Sequence, residues 1–150
     1  MGTRSITRIL DETGKEFVTI YRQYDGYPSG MGNDIFVSLG KRKLVNGFSN
    51  PDVETNGMHC AAALLISDIK QGCGNVYLYA PGEIDCGEEY TYILQPSPGG
   101  MQIILSVYRG SVAVEDGFPV PRRKNKVLMW SGPVSSFGLE TQKRAEERDC

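Results

Sequence analysis

A β-hairpin is predicted by residues 3–24, which read TRSITRILDETGKEFVTIYRQY. β-Branched and aromatic residues are frequent in both arms, and the Asp-Glu-Thr-Gly-Lys segment between them has the composition of a turn. Side chains alternate along a strand, so Arg4 and Arg8 share one face of the first arm. Arg22 lies near the end of the second arm, where an arginine side chain usually points to solvent or to a ligand.

Helical and strand-like patterns follow the hairpin. Helices are predicted at about 31–40, from capping residues and apolar spacing, and at about 58–70, from alanine and leucine content. Strands bounded by Pro- or Gly-containing turns are predicted at 75–80, 90–95 and 101–109, with a further candidate at 111–115. Short connections favour antiparallel neighbours. We therefore predict an α+β fold with a largely antiparallel sheet, made of the N-terminal hairpin and a three-strand meander, and two helices on one face.

The chain of 150 residues is long enough to bury one core without disulfides or metal. We predict a single α+β domain over residues 1–116. From residue 117 the chain becomes Pro-rich and basic, with the run RRKNK at 122–126, and it then ends in a charged segment. Residues 117–150 are accordingly predicted to be a connector and a tail, with a terminal helix as the candidate structure after Leu139.

The formal net charge is -2, which argues against a broad basic surface for duplex nucleic acid. No apolar run approaches the length of a membrane span, and the first residues lack the long apolar segment of a secretory signal. We expect a cytoplasmic protein that binds neither duplex nucleic acid nor membrane. Its short edge strands lead us to expect a homo-oligomer.

The segment 21–34, YRQYDGYPSGMGND, joins the hairpin to the first predicted helix and holds three glycines. Amides at a helix start and an arginine fork are preorganised donors for phosphate or carboxylate, and tyrosine adds a flat face for a base. The candidate ligand-binding residues are Arg22, Tyr24, Asp25, Tyr27, Ser29, Gly30, Gly32 and Asn33, with Arg4 and Arg8 as a second source of positive charge. The alternative is a tight structural connection, whose glycines serve backbone geometry and whose Asp25 bonds within its own turn.

Two motifs carry a resemblance: Gly-Thr-Arg-Ser-Ile-Thr at residues 2–7 and Tyr-Arg-Gln-Tyr-Asp-Gly-Tyr-Pro-Ser-Gly at residues 21–30. The chain resembles a group of small bacteriophage and bacterial proteins of unassigned activity, which share a G-T-R-S-x-T strand and a Y-R-Q-[YF]-D-G-Y-P-S-G turn. The likeness covers roughly the first quarter of the chain and implies no catalytic residue; Met31 stands where a more polar residue is expected. A phage origin suggests a protein that sequesters a host nucleotide signal in the host cytoplasm.

The sequence offers few residues for a catalytic arrangement, because its one histidine, His59, lies in an Ala/Leu-rich segment. No cofactor and no metal site are predicted. The leading hypothesis is non-catalytic binding of a small anionic, nucleotide-like ligand. Two alternatives stay open: a metal-dependent hydrolase or phosphodiesterase acting on nucleotides through Asp25, Asp34 and His59, and an inhibitor module that binds a host protein through its sheet face and basic tail.

Overall fold

The structure is a computed structural model that describes residues 2–82, 86–121 and 127–147. The basic run at 122–126 lies outside the described residues, so the predictions made for it stay predictions. Within the described parts of the chain, no helix combines the length and the apolar composition needed to cross a bilayer.

The described residues form ten strands and three α-helices. The strands are β1 (Ser5–Leu10), β2 (Glu16–Arg22), β3 (Lys43–Val45), β4 (Glu54–Asn56), β5 (Val76–Tyr79), β6 (Tyr90–Pro96), β7 (Ile103–Arg109), β8 (Val112–Glu115), β9 (Phe118–Pro121) and β10 (Val127–Pro133). The helices are α1 (Asn33–Leu39), α2 (Gly57–Ile69) and α3 (Leu139–Glu147). A single π-helical turn, Pro28–Gly32, leads directly into α1, and a short 3₁₀ turn, Val134–Ser136, follows β10.

The main sheet has six strands in the order β10-β7-β6-β1-β2-β5. Adjacent strands in this sheet are antiparallel, except for β1 and β6, which are parallel. The predicted α+β class, the mainly antiparallel sheet and the β1–β2 hairpin are confirmed.

The predicted three-strand meander is wrong, because β5 pairs with β2 at one edge of the sheet and does not contact β6 as a neighbour. Contacts with β2 and with the residue that follows it hold β5 there. Tyr77 stacks on Tyr21 with ring centroids 5.8 Å apart, and the amide of Gln23 donates to the carbonyl of Asn75 at 2.8 Å. β6 is therefore free to pair in parallel with β1.

The main core lies between the sheet and the helices. Ile9 and Ile20 are fully buried on this side of the sheet, where Ile35 of α1 and Leu65 of α2 belong to the same apolar cluster. On the other side, a smaller cluster forms between Leu10, Ile93, Tyr108 and Val112, so β8 packs there. The sheet is thus covered by helices on one face and partly by β8 on the other.

The part of the chain after residue 117, which the sequence assigns to a connector and tail, contributes regular structure. β9 pairs with β8, β10 is an edge strand of the main sheet beside β7, and α3 is the terminal helix. Phe137 and Ala145 are almost completely buried in the main core. The described residues after 117 are therefore built into the same core as the first part of the chain.

Candidate functional site

We call residues 25–32, which follow β2, the glycine turn. Several of its backbone amides donate hydrogen bonds to acceptors within the protein. The amide of Gly30 donates to the carbonyl of Tyr27 at 2.8 Å, and that of Met31 donates to the carbonyl of Asp25 at 2.9 Å. The amide of Ser29 donates to the carboxylate of Glu146, on α3, at 2.6 Å. One amide of the turn thus contacts a negative charge, and that charge belongs to the chain's own C-terminal helix.

Arg22 is also engaged internally. Its Nη1 contacts the carboxylate of Asp34 at 2.5 Å, and its Nε donates to the carbonyl of Tyr24 at 2.9 Å. Only 11% of the Arg22 side chain is exposed. The guanidinium predicted to hold a ligand phosphate is instead part of the link between β2 and α1.

The remaining candidates in the turn have structural partners. The hydroxyl of Tyr27 donates to Asp25 at 3.2 Å, and the negative charge of Asp25 raises the pKa of Tyr27. Asn33 accepts a hydrogen bond from Gln142 at 3.0 Å. A Cβ atom on Gly32 would lie 2.7 Å from the ring of Phe137, so this glycine is required by packing.

A small cavity of about 230 Å³ lies beside the turn, and Arg22, Tyr24 and Asp25 all line it. Asp34 and Asp68 line it as well. Three carboxylates face one guanidinium, so the field in this cavity is unfavourable for a phosphate or carboxylate. The predicted residues therefore converge, but on a cavity of the wrong charge for the predicted ligand.

Arg4 and Arg8 do not contribute to the turn. Ser5 pairs with Arg22, which places Arg22 on the face of Ser5, and alternation places Arg4 and Arg8 on the opposite face. Arg8 is fully buried, donates to the carbonyl of Val112 at 2.7 Å and pairs with Glu16 at 3.0 Å. Arg4 donates to the carbonyl of Cys86 at 2.9 Å. Both arginines join segments of the fold, on the face of β1 opposite to that of Arg22.

The groups required by the hydrolase alternative are separated. His59 stacks on Phe17, with ring centroids 3.9 Å apart, and does not line the cavity that Asp25 and Asp34 share. Among the described residues, no three His, Cys, Asp or Glu side chains are grouped so that they could hold a metal ion. Burial raises the pKa of the Cys86 thiol to about 11, so this thiol is protonated near neutral pH.

A groove of about 520 Å³ at the other end of α1 has the charge that the turn lacks. We call it the basic groove. Its walls are the α1–β3 connection, the β6–β7 turn and the segment after β10. Its lining residues are Leu39, Gly40, Lys41, Arg42, Lys43, Ser97, Gly99, Met101, Gln102, Ile103, Pro133, Val134 and Ser135. This lining holds three cationic side chains and, within the described residues, no carboxylate.

Arg42 shapes the wall of the basic groove. Its Nη1 donates to the carbonyls of Pro51 at 2.7 Å and Glu54 at 2.9 Å, and its Nε donates to the carbonyl of Ser38 at 3.3 Å. These bonds occupy a carbonyl in the last turn of α1, whose negative dipole end would otherwise repel an anion. Lys41 and Lys43, on either side, are exposed.

The opposite wall is a tight turn. The amide of Ser97 donates to the carbonyl of Gln102, and the amide of Gly100 donates to the carbonyl of Ser97, both at 2.8 Å. The amide of Leu44, in β3, donates to the carbonyl of Met101 at 3.1 Å and holds the two walls together. The amides of Gly99 and Met101 have no acceptor among the described residues, so they remain available as donors.

Leu39, Ile103 and Val134 form an apolar floor and are each at most 3% exposed. The groove therefore offers cations at the rim and an apolar surface below them. The sequence contains one signal for this site, the basic run Lys41-Arg42-Lys43 that follows the first predicted helix. No local pattern predicts that the distant β6–β7 turn closes the other side.

Comparisons of the chain with protein-family models, with curated proteins and with solved structures give no match.

Proposed function

We propose that the protein binds a small anionic, nucleotide-like ligand in the basic groove and releases it chemically unchanged. The observation that carries the proposal is a groove of about 520 Å³ lined by Lys41, Arg42 and Lys43, with no carboxylate among its described lining residues. Its size falls in the range of small-molecule sites.

The ligand class follows from the two surfaces of the groove. Two exposed ammonium groups attract a phosphate or carboxylate, and the amides of Gly99 and Met101 add directed donors. The floor of Leu39, Ile103 and Val134 favours an apolar or planar part of the same ligand, because covering it removes apolar surface from water. A nucleotide combines an anionic group with a planar ring.

Binding without turnover is supported by the chemistry of the lining. The titratable side chains on it are lysine and arginine, which are cations at neutral pH and serve to hold an anion. His59 stacks on Phe17 and does not line the basic groove, and the carboxylates Asp25 and Asp34 considered for catalysis line the cavity beside the glycine turn.

Isothermal titration against mono-, di- and cyclic nucleotides tests the proposal, with a Lys41→Ser/Lys43→Ser double variant. Two exposed charge contacts worth roughly 0.7 kcal/mol each lower the affinity about tenfold when removed. Higher salt weakens binding to the unaltered protein, because salt screens exposed charges. The matched control, Lys15→Ser/Lys143→Ser, removes two exposed lysines elsewhere and leaves the affinity unchanged.

Absence of heat with every nucleotide, or equal affinities for the groove variant and its control, would count against the proposal. Denaturing the complex and analysing the ligand by mass spectrometry separates binding from turnover: intact nucleotide supports a binding protein, whereas a product supports the hydrolase alternative. Native mass spectrometry of the same sample measures the number of subunits and tests the expected homo-oligomer.

A further inference from the structure

A second groove of about 460 Å³ lies next to the basic groove. Glu12, Asn46, Asn56 and His59 stand at its rim, and the buried side chains of Leu44 and Met58 form part of its floor. We call it the polar groove, because its rim carries hydrogen-bonding groups and its charged groups do not include lysine or arginine.

The two grooves are lined by consecutive residues of β3 and of the facing turn. Lys43 lines the basic groove, while the next residue, Leu44, lines the polar groove. On the facing turn, Gly99 and Met101 line the first groove, while Gly100 lines the second. A ligand whose phosphate is held at Lys43 therefore has the polar groove as its neighbouring surface.

The rim of the polar groove has unused hydrogen-bonding capacity. Glu12 accepts the amide of Met58 on Oε2 at 2.7 Å, which fixes the carboxylate at the start of α2, while its Oε1 has no donor among the described residues. Asn56 accepts a hydrogen bond from the amide of Gly47 on Oδ1 at 2.8 Å, and its NH₂ group has no acceptor among the described residues. The carboxamide of Asn46 has no partner in the described parts of the chain.

We infer that the polar groove binds the base of the nucleotide and that it selects guanine. This inference rests on the proposed function of the basic groove. A carboxylate only accepts hydrogen bonds, and guanine presents adjacent N–H donors on N1 and N2 that can pair with it. Its O6 accepts from a carboxamide NH₂. Adenine offers one amino group on that edge and leaves the second acceptor unpaired, which costs affinity.

The test compares guanosine monophosphate, adenosine monophosphate and ribose 5-phosphate by titration calorimetry on the full chain. The unaltered protein is expected to prefer the guanine nucleotide by about tenfold, the discrimination of one good paired contact. Glu12→Gln keeps an oxygen for the amide of Met58 but loses the carboxylate, so it removes this preference and leaves the affinity for ribose 5-phosphate unchanged. Glu115→Gln, at an exposed position of β8, is the charge-matched control and keeps the preference.

The outcomes separate the two proposals. Binding of all three compounds that depends on Lys41 and Lys43, without a base preference or with a preference that Glu12→Gln leaves intact, overturns the guanine inference and supports the basic groove. Failure of all three compounds to bind overturns the guanine inference, and the basic groove is overturned as well if the di- and cyclic nucleotides also give no heat. A preference for adenine would also overturn the inference, and thermal unfolding of each variant verifies that it is folded.

Discussion

Arg22 is held by acceptors that belong to the protein itself, and this determines what its removal does. Its guanidinium joins β2 to α1 through Asp34 and closes the turn through the carbonyl of Tyr24. Asp34 keeps 40% of its side chain exposed, so water screens the pair and limits its contribution.

Arg22→Ala is expected to lower the free energy of unfolding by about 1 kcal/mol and to leave nucleotide affinity unchanged. Urea unfolding and titration calorimetry measure the two effects. Arg144→Ala removes a pair with Glu140 whose side chains are 74% and 81% exposed, and it should change neither quantity. Loss of nucleotide binding in Arg22→Ala would indicate that the nucleotide binds at the glycine turn and not in the basic groove.

Gly32 lies where the fold leaves no space for a side chain. A Cβ atom here would approach the ring of Phe137 to 2.7 Å, and that ring is fully buried against Trp130. Gly32→Ala is therefore expected to destabilise the protein by about 1–3 kcal/mol, the usual effect of overpacking. Gly99→Ala, where a Cβ atom meets nothing within 4 Å, is the control and should be close to neutral in urea unfolding. Equal effects at both positions would contradict this packing argument.

At the scale of elements, the β1–β2 hairpin depends on the turn at Asp11. Its carboxylate accepts the amides of Thr13 at 2.9 Å and Lys15 at 3.0 Å and the hydroxyl of Thr13 at 2.6 Å. The hydroxyl bond is the main cause that lowers the pKa of Asp11 below 3.8. A lowered folded-state pKa means that ionised Asp11 stabilises the hairpin above pH 3.8, and that this part is lost as the pH falls through the folded-state pKa.

Asp11→Ala is expected to destabilise the protein by about 1 kcal/mol near neutral pH, and the difference from the unaltered protein should shrink as the pH falls below 3.8. Urea unfolding across this pH range measures it. Asp52→Ala, an exposed position without a side-chain acceptor role among the described contacts, should show no such trend. A difference that is constant with pH would contradict the role assigned to the charge.

Polar contacts attach α3 to the rest of the fold, in addition to the buried Ala145. Glu146 accepts the amide of Ser29, and Gln142 donates to Asn33 and to the carbonyl of Phe137. Glu146→Ala should weaken this attachment by about 1.5–3 kcal/mol, since the bond involves a charged acceptor. Hydrogen exchange should then be faster in α3 and unchanged in β1 and β6, whereas the exposed control Glu147→Ala should leave α3 protected. Unchanged exchange in both variants would contradict the anchoring role of Glu146.

The hairpin, α1 and α2 could be predicted because their signals are local: turn composition, caps and apolar spacing. The position of β5 could not, since it depends on Tyr77 meeting Tyr21 and on Asn75 meeting the end of β2, contacts between segments distant in sequence. The same holds for the site. Arg22 and Asp34 can be read from the sequence, but their ion pair forms only in the tertiary structure. The basic groove likewise forms only because the β6–β7 turn lies beside β3.

At the scale of the whole molecule, the sheet order joins the two ends of the described chain. β1 lies between β2 and β6, and β10 pairs with β7 on the far side of β6. Met129, Val134 and Phe137, all after residue 117, are each at most 2% exposed in the main core. A domain that ends at residue 116, as the sequence suggests, would leave β7 as a bare edge and that part of the core uncovered.

A fragment of residues 1–116 is therefore expected not to unfold cooperatively. The three buried side chains it lacks contribute about 5–9 kcal/mol of burial, which is comparable to the whole stability of a domain of this size. A fragment of residues 1–147 retains every described element and should unfold in one transition, like the full chain. Circular dichroism during urea unfolding, together with binding of a hydrophobic dye, distinguishes the two fragments, since the shorter one exposes apolar surface. A sharp transition in the 1–116 fragment would show that the core is stable without β10 and α3.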